Sequence, residues 1–211
     1  LHYLFFDCET GGLDESVHSL LTAYFAIYDE NFKLIEDLDL KLKPENGKLV
    51  TVPEALKVTG IDIEEHLKDP ETITYSEGKA LLLKMLTKHK IKGKRKHYRP
   101  SGQNVGFDIN FVKAQLTGVD DFNSMIHHRP IDTLSITTIL QDIGILPKDL
   151  GNLGSLVDYF KIPMGNAHDA KEDIRMTVDV YKSITKLLIG LRDSGVSNAG
   201  NSNSLLEIIE R

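Results

Sequence analysis

The sequence predicts an α/β protein, a mixed sheet with helices packed on its faces. Three observations point there. Apolar and aromatic runs at residues 3–6, 18–29 and 32–42 read as strands near the start of the chain. From residue 53 onward, helical segments alternate with short strands, the pattern of an α/β sheet. A chain of 211 residues, without internal repeat or interior boundary, is enough for one buried core.

Residues 3–6 form a buried strand that ends at the turn signal Thr10-Gly11-Gly12. Residues 18–29 and 32–42 flank Asp29-Glu30-Asn31, a hairpin turn, and are therefore antiparallel neighbours. Pro53 opens a short helix over 53–58, since its fixed φ suits a first helical position. Ser76 is placed to cap a helix that runs to about residue 90. Residues 97–101 read as a short strand entering the loop Gly102-Gln103-Asn104, followed by a helix over 106–117. A further strand leads into Asp132, and helices follow over 133–142, 152–160 and 169–190. One domain thus spans 1–192. Residues 193–211 read as a tail, a flexible Ser-, Gly- and Asn-containing linker over 193–203 before a short apolar segment, 205–209.

Composition narrows the setting. No run approaches the ~18 apolar residues of a membrane span, so no membrane association is expected. The opening Leu1-His2-Tyr3-Leu4-Phe5-Phe6-Asp7 turns acidic too soon for a signal peptide. A single cysteine, Cys8, excludes an internal disulfide and a cysteine-based zinc site, and a reducing cytoplasm is the simplest compartment. The net charge of -6 by itself argues against a polyanion partner. Acidic residues gathered at a metal site are neutralised there, however, and a local basic stretch remains: Lys84, Lys88, Lys90, Lys92, Lys94, Arg95, Lys96 and Arg99. It reads either as a phosphate-contacting surface or as a solvated helix end and loop.

Carboxylates stand where a core is expected. Asp7 and Glu9 follow the first strand directly and are two residues apart, so both side chains point to one face. Like charges so close push one another toward protonation unless a cation compensates. Asp108 lies in helical register with Phe111, Val112 and Gln115 and leans toward the sheet, although an acid in a first turn also suits the helix dipole. Asp173 heads a stripe continued by Thr177, Val180, Tyr181 and Ile184, so its carboxylate falls on a buried face. His168, five residues earlier, lies on a different face and belongs at the helix entrance.

Together these clusters resemble the DEDDh branch of the DnaQ-like exonucleases. The first family motif stands as Asp7-Cys8-Glu9-Thr10-Gly11. The second runs from Gly102 through Asn104, Phe107 and Asp108 to Phe111, with Gln103 where the family often has His. The third stands as Ala167-His168 with Asp173 following. Ala55 to Ile61 looks like the family's short helix ending in Gly-Ile, and Asp132-Thr133 like its Asp-Thr strand end. The resemblance spans about residues 3–190 in correct order. It implies an RNase H-like fold with a five-stranded mixed sheet and a 3′→5′ exonuclease of the proofreading type. It also implies two Mg²⁺ or Mn²⁺ ions held by Asp7, Glu9, Asp108 and Asp173, with His168 as general base. Carboxylate oxygens suit those hard ions. By the same resemblance Thr10 and Gly11 would meet the terminal nucleotide and Leu13 its base. Asn104, Phe107 and Phe111 are further candidates, the two Phe also reading as core. The expected substrate is the 3′ end of single-stranded DNA, favoured over RNA, with release of nucleoside 5′-monophosphates. The alternatives are an RNA exonuclease of oligoribonuclease type and a non-catalytic nucleic-acid-binding module. A polymerase or replication partner is compatible with the tail.

Overall fold

In the computed structural model, residues 1–94, 96–164 and 170–198 are described. Three long strands come first: β1 (His2–Thr10), β2 (Leu20–Tyr28) and β3 (Leu34–Lys43). β1 and β2 pair antiparallel, as do β2 and β3, with the turn between the latter closed by Asp29, whose Oδ1 accepts from Asn31 N–H and Lys33 N–H. Apolar residues run consecutively along β1 (Leu4-Phe5-Phe6) and β2 (Ala23 to Ile27), so each strand buries both of its faces.

Short α-helices α1 (Pro53–Thr59) and α2 (Ile63–Lys68) lead to β4 (Thr72–Thr74), which pairs in parallel with β3. Helix α3 (Tyr75–Lys88) is followed by β5 (Tyr98–Gly102), parallel to β1. Next come α4 (Val105–Phe111), a π-helical turn (Val112–Thr117), α5 (Val119–Met125) and β6 (Ile131–Asp132). Helices α6 (Thr133–Asp142), α7 (Leu153–Tyr159) and α8 (Ala170–Asn198) complete the described chain. The strand order is β4-β3-β2-β1-β5-β6, with β1 central.

The mixed α/β sheet is as the sequence predicts, but it has six strands rather than five. The three residues of β4 are too short for a strand-length pattern, and tertiary pairing with β3 creates the strand. Other boundaries and elements differ as well: β1 runs on to Thr10, so Asp7 and Glu9 lie within the strand and do not follow it. The α3 cap is Thr74 rather than Ser76, because Thr74 and Glu77 form a reciprocal capping box. The helix expected over 106–117 changes to π geometry at Val112. The six-residue α2 and seven-residue α5 carry too short a pattern to stand out. Helix α8 continues through Gly190 and Gly195 to Asn198, so the first residues of the expected linker are helical; each Gly costs only ~1 kcal/mol in a long helix. The apolar segment 205–209 lies outside the described residues. Among the described residues, no helix is long and apolar enough to cross a membrane.

Each face of the sheet has its own core. Even-numbered residues of β1 (Leu4, Phe6, Cys8) join Phe25, Leu40 and Leu42 beneath α3, α4 and α5. Odd-numbered Phe5, with Tyr24 and Ala26, packs on Ala170, Ile174 and Val178 of α8. The far side of α8 closes a third cluster with α6 and α7, through Met176, Val180 and Ile184. Helix α8 is therefore held on two sides, and its first turn is placed beside the C-terminal end of β1.

Candidate active site

Asp7 and Glu9 occupy the end of β1, on the face that α8 covers. Asp173 sits in the first turn of α8. Oxygens from Asp7, Glu9 and Asp173 lie within 4.8 Å of one another. Asp108 is outside that triplet and comes from α4, on the other face. It is buried, and its Oδ1 accepts from the Cys8 N–H at 2.9 Å, so it is anchored to the backbone between Asp7 and Glu9. The two carboxylates of β1 and the carboxylates of two separate helices thus converge on one strand end. Of the stripe that places Asp173, Thr177, Val180 and Ile184 are buried and Tyr181 is half-buried.

The electrostatics are those of crowded, desolvated acids. Burial raises the Asp7 carboxyl well above its usual range, and the charges of Asp108, Glu9 and Asp173 raise it further. Burial, then Asp173, pushes Glu9 up to about 7. Burial lifts Asp108 to about 8 against the lowering effect of its hydrogen bonds. Burial and the neighbouring acids also push the Cys8 thiol up, so it stays protonated and is a poor nucleophile. Divalent cations would reverse this penalty: the donors are hard oxygens from several chain segments, gathered on one side, which fits Mg²⁺ or Mn²⁺. Asp7, Glu9 and Asp173 are the residues that could hold an ion together, with Asp108 behind Asp7.

Beside the carboxylates lies a cleft of about 400 Å³, mainly apolar, lined by Glu9, Thr10, Leu13, Ala55, Val58 and Phe107. Leu13 is 84% exposed at its rim. The Thr10-Gly11-Gly12 turn owes its glycines to close approach. A Cβ on Gly11 would come 2.5 Å from Val50 O, and one on Gly12 would strike the His18 ring at 2.4 Å. Gly11 N–H donates to Ser19 O and Gly11 O accepts from Val52 N–H, which joins the turn to the approach of α1.

The remaining sequence candidates divide. Phe107 lines the cleft, 4.9 Å from the Phe111 ring. Phe111 is fully buried in the main core, so the core reading holds for it and it offers a substrate no surface. Asn104 has a left-handed backbone (φ 55°), and its N–H donates to Asp132 Oδ1 at 2.8 Å. Thr133 Oγ1 bonds Gln103 Oε1 and Gly102 O, so the Asp132-Thr133 pair braces the loop that carries α4. His168 lies outside the described residues. The lysine-rich stretch ends beside the other end of β1, since Tyr98 pairs with His2 and Arg99 with Tyr3.

Gln115 is a residue whose role the sequence did not show. From the π-helical turn, its Nε2 donates to Glu15 O and His18 O, at 2.8 and 2.6 Å. Its Oε1 accepts from Leu20 N–H and Tyr75 O–H. All four amide valences are filled, and they hold the 13–19 loop that presents Leu13. The signal was available: an amide on an otherwise apolar helix stripe.

No protein-family model matches the chain. No curated protein matches its sequence. Its fold, however, matches solved structures of exonuclease I. An E. coli exonuclease I in complex with a dT13 oligonucleotide aligns over 92% of this chain and 43% of its own, at 20% identity and a TM-score of 0.71. A zinc-bound form of the E. coli enzyme with single-stranded DNA aligns over 92% of this chain and 42% of its own, at 20% identity and a TM-score of 0.73. The moderately thermophilic exonuclease I of Methylocaldum szegediense aligns over 88% and 40%, at 17% identity and a TM-score of 0.67. The chain spans about two fifths of the proteins it matches. Over that length it has the α/β fold of exonuclease I.

Proposed function

We propose that this chain is a metal-dependent 3′→5′ exonuclease acting on single-stranded DNA and releasing nucleoside 5′-monophosphates. The observation that carries the reading is the gathering of Asp7, Glu9 and Asp173 within 4.8 Å, on a strand end where burial makes uncompensated charge costly. The motifs around these residues are those of the DEDDh exonucleases, and single-stranded DNA is bound in solved structures of the same fold.

Asp7, Glu9 and Asp173 would hold one ion, and Asp7, helped by Asp108 directly or through water, a second. Such ions would supply charge neutralisation on the phosphate and stabilise the attacking and leaving oxygens. The chain's own residues do the rest. His168, with an unperturbed pKa of about 6.5, would take the proton of the attacking water. The Thr10-Gly11 backbone would meet the terminal nucleotide, and Leu13 and Phe107 would hold its base in the apolar cleft. Asn104 stands on the braced loop next to that cleft. Stacking reads no sequence, so low sequence specificity is expected.

The test is a 5′-labelled strand of DNA, and an RNA of the same sequence, incubated with Mg²⁺, Mn²⁺ or EDTA beside Asp7→Ala. The expected result is a ladder shortening from the 3′ end of the DNA, dependent on metal and absent in the variant. A ladder on RNA alone would transfer the reading to the oligoribonuclease type. No cleavage of either strand would leave a binding module. A replication partner docking through residues 193–211 is part of the same proposal, and a pull-down with and without that tail checks it.

A further inference from the structure

The apolar cleft beside the carboxylates has two unlike walls. Helix α1 gives Ala55 and Val58 to one of them, and none of its residues is buried. The 13–19 loop gives Leu13 to the other. Bonds within that loop shape its turn. Asp14 Oδ1 accepts from the Ser16 N–H and hydroxyl, Asp14 O accepts from the N–H of Val17 and of His18, and the Asp14 N–H donates to His18 Nδ1 at 3.2 Å. Ser19, its last residue, donates its N–H to Val50 O, and its hydroxyl oxygen accepts from the Val50 N–H. A turn fastened only at its end can still pivot as a unit.

Gln115 supplies the attachment in the middle. Its Nε2 reaches Glu15 O and His18 O, 2.8 and 2.6 Å away, and among the described residues no other group outside the loop hydrogen-bonds to residues 13–18. Its Oε1 fastens the strand that follows. The β1–β2 pairing is bulged between Glu9 and Thr10, and there the Leu20 N–H donates to Gln115 Oε1 at 2.8 Å. The Tyr75 hydroxyl, from α3, lies 2.9 Å from the same oxygen. One amide thus joins the loop, the start of β2 and α3. Glu15 is two residues from Leu13, so a fixed Glu15 carbonyl sets where the Leu13 side chain stands. Leu13 is 84% exposed, so packing of its own side chain does not hold it there.

We infer that Gln115 is a positioning residue for the terminal nucleotide: it holds Leu13 as a preformed wall, so that the cleft fits a base before the strand arrives. This rests on the proposed activity for what occupies the cleft. A wall already fixed loses no freedom when the base binds, and affinity gains accordingly. The base takes no part in the bond that is cleaved, so its contact with Leu13 is the same before and during the reaction. Loss of Gln115 therefore raises KM and leaves kcat, the signature of uniform binding. A bond network that served stability alone would lower the melting midpoint and move neither.

Gln115→Met keeps the length of the side chain and removes its amide. Gln115→Glu keeps the acceptor for the Leu20 N–H and Tyr75 and removes the two donors to the loop, and it covers the case in which the Met variant does not fold. Each is measured alone and combined with Leu13→Ala. The readouts are KM and kcat with Mg²⁺ on a labelled oligothymidylate of about a dozen nucleotides, and affinity for the same strand by anisotropy in EDTA. Loss of one base contact should raise KM and weaken binding by about tenfold in each single variant, with kcat held within about twofold. The double variants should match Leu13→Ala, at about tenfold rather than about a hundredfold, because both substitutions remove the same contact. Wild-type KM and affinity in the folded Gln115 variants, or an additive loss in the double variants, would overturn the inference. A wild-type chain that binds no strand would overturn it together with the proposed activity. A coupled loss of affinity in a chain that cleaves nothing would overturn the proposed activity alone and leave the positioning role standing.

Discussion

Asp7 is the residue on which the site's physics turns. It is half-buried, crowded by three other acids, and held well above the usual carboxylate range first by desolvation. Asp7→Asn removes the crowding but keeps the shape. It should raise the stability of the metal-free protein while abolishing metal binding and lowering turnover by about 10³-fold or more, since metal-borne charge stabilisation is worth several kcal/mol. Thermal melts in EDTA, beside metal titrations, check both halves; a less stable Asn variant would contradict the crowding. The same physics sets a pH dependence. Glu9 is raised from 4.5 to about 7 and Asp108 from 3.8 to about 8. The folded metal-free protein therefore binds protons that the unfolded chain has released, and its stability falls as pH rises from about 4.5 through about 8. Melts in EDTA at pH 5 and pH 8.5 should show the higher midpoint at the lower pH. His168→Ala belongs to this scale too. It should lose about 10²–10⁴-fold in turnover and still bind metal, and near-normal turnover would end its assignment as the base.

Among the elements, the loop before α4 depends most on its neighbours. Asp132 accepts from Asn104 N–H with one oxygen and caps α6 with both, through Leu134 N–H and the Ser135 hydroxyl. Asp132→Ala removes all three interactions without touching a carboxylate of the site. It should cost about 1–2 kcal/mol, the worth of a strong helix cap. Turnover should fall as Asn104 and Phe107 lose their support, and denaturant melts with kcat and KM measurements separate the two effects. The π-helical turn acts similarly on the other wall. By changing helical pitch at Val112 it aims Gln115 at the carbonyls of Glu15 and His18.

For the whole molecule, the consequence is that fold and metal are linked. β1 is the central strand, buried on both faces, and its end carries two of the acids. Helices α4 and α8 bring the others from opposite faces. A site assembled from three elements exists only in the folded chain, so anything that binds it stabilises the fold by mass action. Mg²⁺ at a hundred times its dissociation constant should add about 2.7 kcal/mol and raise the melting midpoint at pH 8, with no effect on Asp7→Asn.

That Asp7, Glu9 and Asp173 face one another was legible in the sequence because their signals are local. Alternation put Asp7 and Glu9 on one face, helical spacing put Asp173 on a buried stripe, and the motifs appeared in order. The β2–β3 hairpin and α6 were legible for the same reason. Other features depend on partners distant in the chain. β4 is a strand only because β3 lies beside it. Phe111 is core rather than substrate surface because the main cluster closes over it. Cys8 N–H meets Asp108 across 100 positions, and Gln115 meets Glu15 across 100 as well. Of the basic stretch, sequence alone could not show that Lys88 is paired with Glu36. Residue type and local period determined the chemistry this chain carries; which of those groups meet, and how deeply they are buried, was decided by tertiary packing, because contact and desolvation are properties of the folded whole.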